Sequence, residues 1–196
     1  MSIFKELLNP FKPHYVPFPA EPKIIRVDGF TVHEYVTPKE MDKIIKNLSN
    51  QFDFRKYDTV LVNKNGGNFL FDRLADLKKF KGVAHEIEYH RPEKGFGAII
   101  EMPVPDEAHK SKAVVIDDIY DSGGVFEAIL KNLSPESLCI SLVRKRGING
   151  QIAIPNILVG LEIDNVWVGG VGMNLGIPEE GYTFRNHPGL VVKIQQ

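Results

Sequence analysis

Apolar positions in residues 37–52, TPKEMDKIIKNLSNQF, recur with the spacing of a helix. Met41, Ile44, Ile45, Leu48 and Phe52 fall on one face, while Thr37, Pro38 and Glu40 stand in the order of a capping box with proline at the first helical position. The spacing predicts a helix there. Just upstream, IIRVDGFTVHEYV alternates apolar and polar residues on either side of Asp28-Gly29, the pattern of a hairpin. Downstream, short β-branched runs at 59–63, 83–90, 113–117 and 138–144 are interleaved with helical patterns around 69–80 and 123–133. Alternation of this kind predicts an α/β fold, a mostly parallel twisted sheet with helices on both faces. Three later apolar runs, 157–163, 166–172 and 190–194, have no long helix between them and read as a small added hood.

Length and charge narrow the picture. A chain of 196 residues fits a single domain over 1–196 with a core of its own. The formal net charge of -1 gives none of the broad basic footprint that non-specific nucleic-acid binding needs, so no nucleic-acid partner is expected. Cys139 is the only cysteine and sits in the apolar run SLCISLV, which excludes a disulfide framework and fits a reducing compartment. No run is long enough to span a membrane and the N-terminus lacks a long apolar leader, so a cytoplasmic protein without a membrane partner is expected. Residues 9–22 hold five prolines among aromatic rings, and the 1–22 segment therefore reads as an extended, proline-rich arm packed on the body or on a partner. Residues 91–112 form a connection of a length that is usually functional or disordered.

The chemistry concentrates in AVVIDDIYDSGG, residues 113–124. Asp117 and Asp118 stand at the carboxyl end of a strand, where open α/β sheets bind ligands. Ser122, Gly123 and Gly124 then open a helix, and such a turn offers free backbone N–H groups to an anion. The carboxylates suit hydroxyl groups or a hydrated divalent cation. A ligand with a phosphate at one end and a diol nearby satisfies both halves, which describes a sugar phosphate. A second glycine turn, Lys64-Asn65-Gly66-Gly67, follows the strand at 59–63 and is another backbone nest for anions.

The stretch VVIDDIYDSGG resembles the phosphoribosyl pyrophosphate signature of the type I phosphoribosyltransferases. The order ISLVRKRG, VGLEIDNVWVGGVGMN, YTFRNHPGLVVKI resembles, within that family, the tail of the hypoxanthine-guanine (6-oxopurine) enzymes. The resemblance implies transfer of ribose 5-phosphate from phosphoribosyl pyrophosphate to a purine, with release of pyrophosphate, in purine salvage. It also implies Mg2+ as cofactor and a homodimer or homotetramer. By the same resemblance Asp121 is the catalytic residue, and Asp117, Asp118, Asp121, Ser122, Gly123, Gly124 and Val125 hold the ribose 5-phosphate. Lys64, Asn65, Gly66 and Arg185 take the pyrophosphate, and Lys145, Trp167, Val168 and Asn174 take the base. Asp117, Asp118 and Asn174 would face the metal, directly or through ligand or water. Residues 91–112 become the flexible catalytic loop, and 145–189 the base-binding hood region. The chain departs from the family in three places: Asn65 stands where a basic residue usually precedes the glycines, Val125 where threonine is common, and Asn174 where the family carries aspartate. Two alternatives remain open at this point, a regulator of the same fold that senses phosphoribosyl pyrophosphate, and a transferase with a pyrimidine or other acceptor.

Overall fold

The computed structural model describes residues 13–27, 30–64, 66–90, 99–173 and 184–193. The expected loop residues 91–98, the hairpin turn at Asp28-Gly29, and the site candidates Asn65 and Asn174 lie outside them. The main sheet holds seven strands. They are β1 (His14–Val16), β4 (Thr59–Asn63), β5 (Ala84–His90), β6 (Ile99–Met102), β7 (Ala113–Tyr120), β8 (Leu138–Lys145) and β9 (Ile157–Ile163), in spatial order β1-β9-β8-β7-β4-β5-β6. Every pairing is parallel except β5 with β6. A smaller antiparallel sheet packs β2 (Lys23–Val27), β3 (Phe30–Val36), β10 (Val168–Gly169) and β11 (Leu190–Lys193) in the order β10-β11-β3-β2.

Three helices cover the main sheet, and residue alternation along the strands sorts them to its two faces. Val60, Val62, Val114, Ile116 and Ile140 share a core with Met41, Ile45 and Leu48 of α1 (Pro38–Ser49) and with Leu70 and Leu74 of α2 (Gly67–Lys78). Their neighbours Leu61, Val115 and Cys139 face the other way, onto Phe126 and Ile129 of α3 (Gly124–Leu130). The expected α/β architecture is therefore present. So is the capping box of α1: the Thr37 hydroxyl accepts from Glu40 N at 3.3 Å and the Glu40 carboxylate accepts from Thr37 N at 3.0 Å. Such a cap contributes about 1 kcal/mol.

The differences from the expected elements have local causes. The 157–163 run belongs to the main sheet as β9, not to the hood, because it pairs along its length with β8 and receives β1 of the proline-rich arm on its outer edge. The expected strand at 166–172 shrinks to Val168–Gly169 because Gly170, Val171 and Gly172 all take left-handed backbone, with φ of 91°, 47° and 95°. Helix α3 stops at Leu130 rather than 133, since the next amides bond three residues back, Asn132 N to Ile129 O and Leu133 N to Leu130 O. Helix α2 runs two residues ahead of its expected range and ends at Lys78, capped by Lys79 in the left-handed conformation, with Phe80 N bonded to Ala75 O. The 91–112 connection is structured in its second half, where β6 pairs with β5 and Val104 and Ala108 are buried. Among the described residues no helix is long and apolar enough to cross a membrane.

Candidate active site

Strand β4 leads through α2 to β5 on one side of it, while β7 lies on its other side, so the chain changes direction between β4 and β7. Ligands of open α/β sheets bind at such a switch point. A cavity of about 260 Å3 opens there, lined by Asn63, Tyr89, Asp118, Ile119, Asp121, Lys145, Trp167, Val168, Met173 and Arg185. Six of these, Asp118, Asp121, Lys145, Trp167, Val168 and Arg185, are residues the sequence nominated for five different jobs.

The acidic pair is not at a strand end: β7 runs on to Tyr120, paired with Arg144 of β8. The partner strand β4 stops earlier, its pairing with β7 ending at Val62 and Ile116, so Asp117 and Asp118 project past its last ladder bond. Asp117 is buried and turned inward. Asn63 Nδ2 donates to its Oδ1 at 2.6 Å and the Tyr89 hydroxyl to its Oδ2 at 3.3 Å. Burial, then the neighbouring Asp118 carboxylate, pushes the Asp117 pKa well above the usual range. Asp118, which lines the cavity, is also raised by burial, against the lowering pull of its hydrogen bonds and of Arg185. Its carboxylate lies against the glycine turn at Gly66-Gly67 so closely that a Cβ on Gly66 would come 1.8 Å from Asp118 Oδ2. Only glycine fits at 66.

A carboxyl with a raised native pKa binds its proton more tightly folded than unfolded, so its contribution to stability falls as pH rises above the model-peptide value of 3.8. At neutral pH the Asp117 charge weighs against the fold. Asp117→Asn, which keeps an acceptor for Asn63, is expected to raise the melting temperature of the free protein at neutral pH and to flatten its pH dependence from about pH 4 upward. Thermal melts across that range check it; a lower melting temperature at pH 7 would contradict the inward-held charge.

Asp121 follows two residues past Ile119 and meets Lys145 across the cavity, Lys145 Nζ lying 3.6 Å from Asp121 Oδ2. Lys145 is 6% exposed and its ammonium sits 5.2 Å from the centre of the Trp167 ring, which is itself 60% exposed. Buried cation, carboxylate and open indole face thus form one wall. The turn after Asp121 requires Gly123, whose φ is 87° and whose absent Cβ would come 2.7 Å from Ile152 O and 2.9 Å from the Tyr120 ring. Ser122 Oγ accepts from Gly124 N at 3.4 Å, and the first amides of α3, Val125 among them, have no acceptor within the helix. The Val125 side chain packs with the α3 core.

The second anion turn is split. Gly66 and Gly67 start α2 beside Asp118, whereas the Lys64 side chain is exposed and paired with Glu88 at 3.4 Å. Arg185 enters the cavity from the hood, its carbonyl accepting from Gly172 N at 2.9 Å. No group of three or more His, Cys, Asp or Glu side chains suited to a metal occurs among the described residues. The buried Asp118 carboxylate at the cavity wall fits Mg2+, which keeps water and substrate oxygens as most of its ligands and seldom takes an all-protein cage.

Two contributors escaped the sequence reading. Asn63 ends the apolar run TVLVN, and a polar side chain closing a buried strand was a readable signal. Gln151, in an irregular loop, gave none. Its Nε2 donates to Asp121 O at 2.6 Å and to Lys145 O at 3.1 Å, and its Oε1 accepts from Arg144 Nη2 at 3.0 Å. One amide therefore ties the turn bearing Asp121 to the strand end bearing Lys145. Gln151→Ala is expected to lower kcat/KM about 10-fold or more while Gln151→Glu, which keeps only the acceptor side, recovers none of it; steady-state kinetics of both variants with their melting curves decide, and an unchanged kcat/KM removes Gln151 from the site.

No protein-family model matches the sequence, and no curated protein does so. Solved structures do. A hypoxanthine-guanine phosphoribosyltransferase of Bacillus anthracis superposes with a TM-score of 0.68 at 16% identity, over 88% of this chain and 100% of the other. A hypoxanthine phosphoribosyltransferase of Staphylococcus aureus gives 0.64 at 17%, over 83% and 91%. A hypoxanthine phosphoribosyltransferase of Trypanosoma cruzi, complexed with the product IMP, gives 0.66 at 14%, over 90% and 95%. Matches this extensive at such low identity speak to architecture: the chain is built on the type I phosphoribosyltransferase fold, in the form found in hypoxanthine-guanine phosphoribosyltransferases.

Proposed function

We propose that the protein is a Mg2+-dependent phosphoribosyltransferase that moves ribose 5-phosphate from phosphoribosyl pyrophosphate to a 6-oxopurine, hypoxanthine, guanine or xanthine, in purine salvage. The observation that carries this reading is the meeting of Asp118, Asp121, Lys145, Trp167 and Arg185 around one cavity at the switch point of this fold.

In the reaction the bond from the anomeric carbon to pyrophosphate breaks, a bond from that carbon to a purine ring nitrogen forms, and the purine gives up the proton of that nitrogen. Lys145 donates to the 6-oxo group, and Trp167 covers the ring face. Val168 offers its backbone to the base edge. Asp121 takes or relays the purine proton once Lys145 has turned to the base. The turn from Ser122 to Val125 receives the 5-phosphate on its amides. Gly66 and Arg185 flank the pyrophosphate. Asp118 faces the ribose hydroxyls and the metal, and Asp117, held by Asn63 and Tyr89, keeps Asp118 in place through its Oδ1, which accepts from Asp118 N at 2.9 Å. Mg2+ when bound neutralises charge on the leaving pyrophosphate. Asn65 and Asn174 complete the pyrophosphate and base contacts in this reading. The protein works in the cytoplasm as a homo-oligomer. Incubation with labelled phosphoribosyl pyrophosphate and a panel of purines and pyrimidines tests the proposal: labelled nucleotide from a 6-oxopurine alone is expected, and transfer to a pyrimidine, or to no base, overturns it.

A further inference from the structure

A second, larger cavity of about 740 Å3 opens at the amino end of the sheet, opposite the candidate active site. Its lining is unlike the first. Phe54, Tyr57 and Phe80 contribute rings, the first and last with centroids 4.7 Å apart. Arg55, Lys78, Lys79 and Lys81 contribute cations. The two carboxylates present are already engaged: Asp53 by the Arg55 guanidinium at 2.7 Å and Asp58 by Lys112 N at 2.9 Å. Lys78 lies over the Phe52 ring at 5.7 Å, and neither Lys79 nor Lys81 forms an ion pair among the described residues. On the cavity's floor the Thr59 hydroxyl is shielded and has no hydrogen-bond partner. Lys79 is held in the left-handed conformation that closes α2, which fixes where its side chain leaves the helix.

We propose that this cavity is a binding site for a nucleoside di- or triphosphate, its ring against Tyr57 and Phe80, which the buried Phe54 backs, and its phosphates on Lys78, Lys79 and Lys81. The cations call for a multivalent anion, the rings for a flat apolar moiety, and the volume falls in the range of sites for small organic ligands. Inorganic phosphate would use the lysines and leave the rings bare.

The location also gives such a ligand a route to the other end of the molecule. Thr59 and Lys78, both in the lining, are the first residue of β4 and the last of α2, and the turn joining β4 to α2 is the one that holds Gly66 against Asp118. A helix of this length spans about 18 Å, so the two cavities sit at opposite ends of one strand-turn-helix unit. Binding does not depend on the transferase reading; an effect on transfer rate does.

Equilibrium titration with ATP and GTP, followed by calorimetry, tests the site. The wild-type protein is expected to bind one of them, and Lys79→Glu/Lys81→Glu to weaken that binding about tenfold or more. Lys145→Ala, in the other cavity, is expected to leave it unchanged, and tripolyphosphate is expected to bind more weakly than the nucleotide. Both lysines are exposed; should the charge reversal disturb folding by circular dichroism, Lys79→Gln/Lys81→Gln gives the same comparison. Absence of nucleotide binding, equal binding by the lysine variants, loss of binding in Lys145→Ala, or equal affinity for tripolyphosphate each overturns the proposal. Loss of transferase activity in the base panel leaves these outcomes untouched.

Discussion

Asp121→Asn is expected to lower kcat by about 10²–10⁴-fold, the usual span for a positioned acid or base, with little change in the KM for phosphoribosyl pyrophosphate. Asparagine fills the same space and still offers an oxygen to Lys145 Nζ, 3.6 Å away in the native protein, so folding is expected to survive. What disappears is the capacity to hold a proton. Steady-state kinetics over pH 6–9, with a melting curve to verify the fold, separates the two: a variant that retains more than a tenth of wild-type kcat takes Asp121 out of the chemistry.

Lys145→Ala carries the second large effect, and it falls on a different substrate. A hydrogen bond from a charged donor contributes about 1.5–3 kcal/mol, so the KM for the purine is expected to rise roughly 10- to 150-fold while that for phosphoribosyl pyrophosphate stays within about twofold. The residue is buried, with its ammonium over the Trp167 ring. Lys145→Met keeps the aliphatic stem and serves as control. If both KM values rise together in the methionine variant, Lys145 organises the whole site and does not read the base.

The contrast between these two residues shows what the sequence could and could not convey. Asp121 was legible because an apolar strand, acidic residues and a Ser-Gly-Gly turn must follow one another locally for the chemistry to work. The α/β alternation was legible for the same reason: periodicity is a property of adjacent residues. Lys145 could be nominated only by resemblance, because nothing local ties it to Asp121; the pairing of β7 with β8 brings them together. Gln151 is the extreme case, a loop residue whose four side-chain hydrogen bonds all reach residues on other segments. The hood was misjudged by the same logic. Residues 157–163 and 190–193 look alike as apolar runs, and which sheet each joins is decided by partners far along the chain, β8 for the first and β3 for the second.

Gly172 and Gly66 have a meaning for how this protein can change. A Cβ on Gly172 would come 2.7 Å from Gly66 O and 2.9 Å from Phe69 Cβ, just as a Cβ on Gly66 would collide with Asp118. Hood, glycine turn and acidic strand are thus stacked glycine on glycine with no slack. In the transferase proposed above, a laboratory selection for a new base is expected not to redraw the hood by itself: a side chain at 172 would push directly on the turn at Gly66, so changed base preference is expected to arrive coupled to losses at the phosphate end unless both segments are varied in the same library.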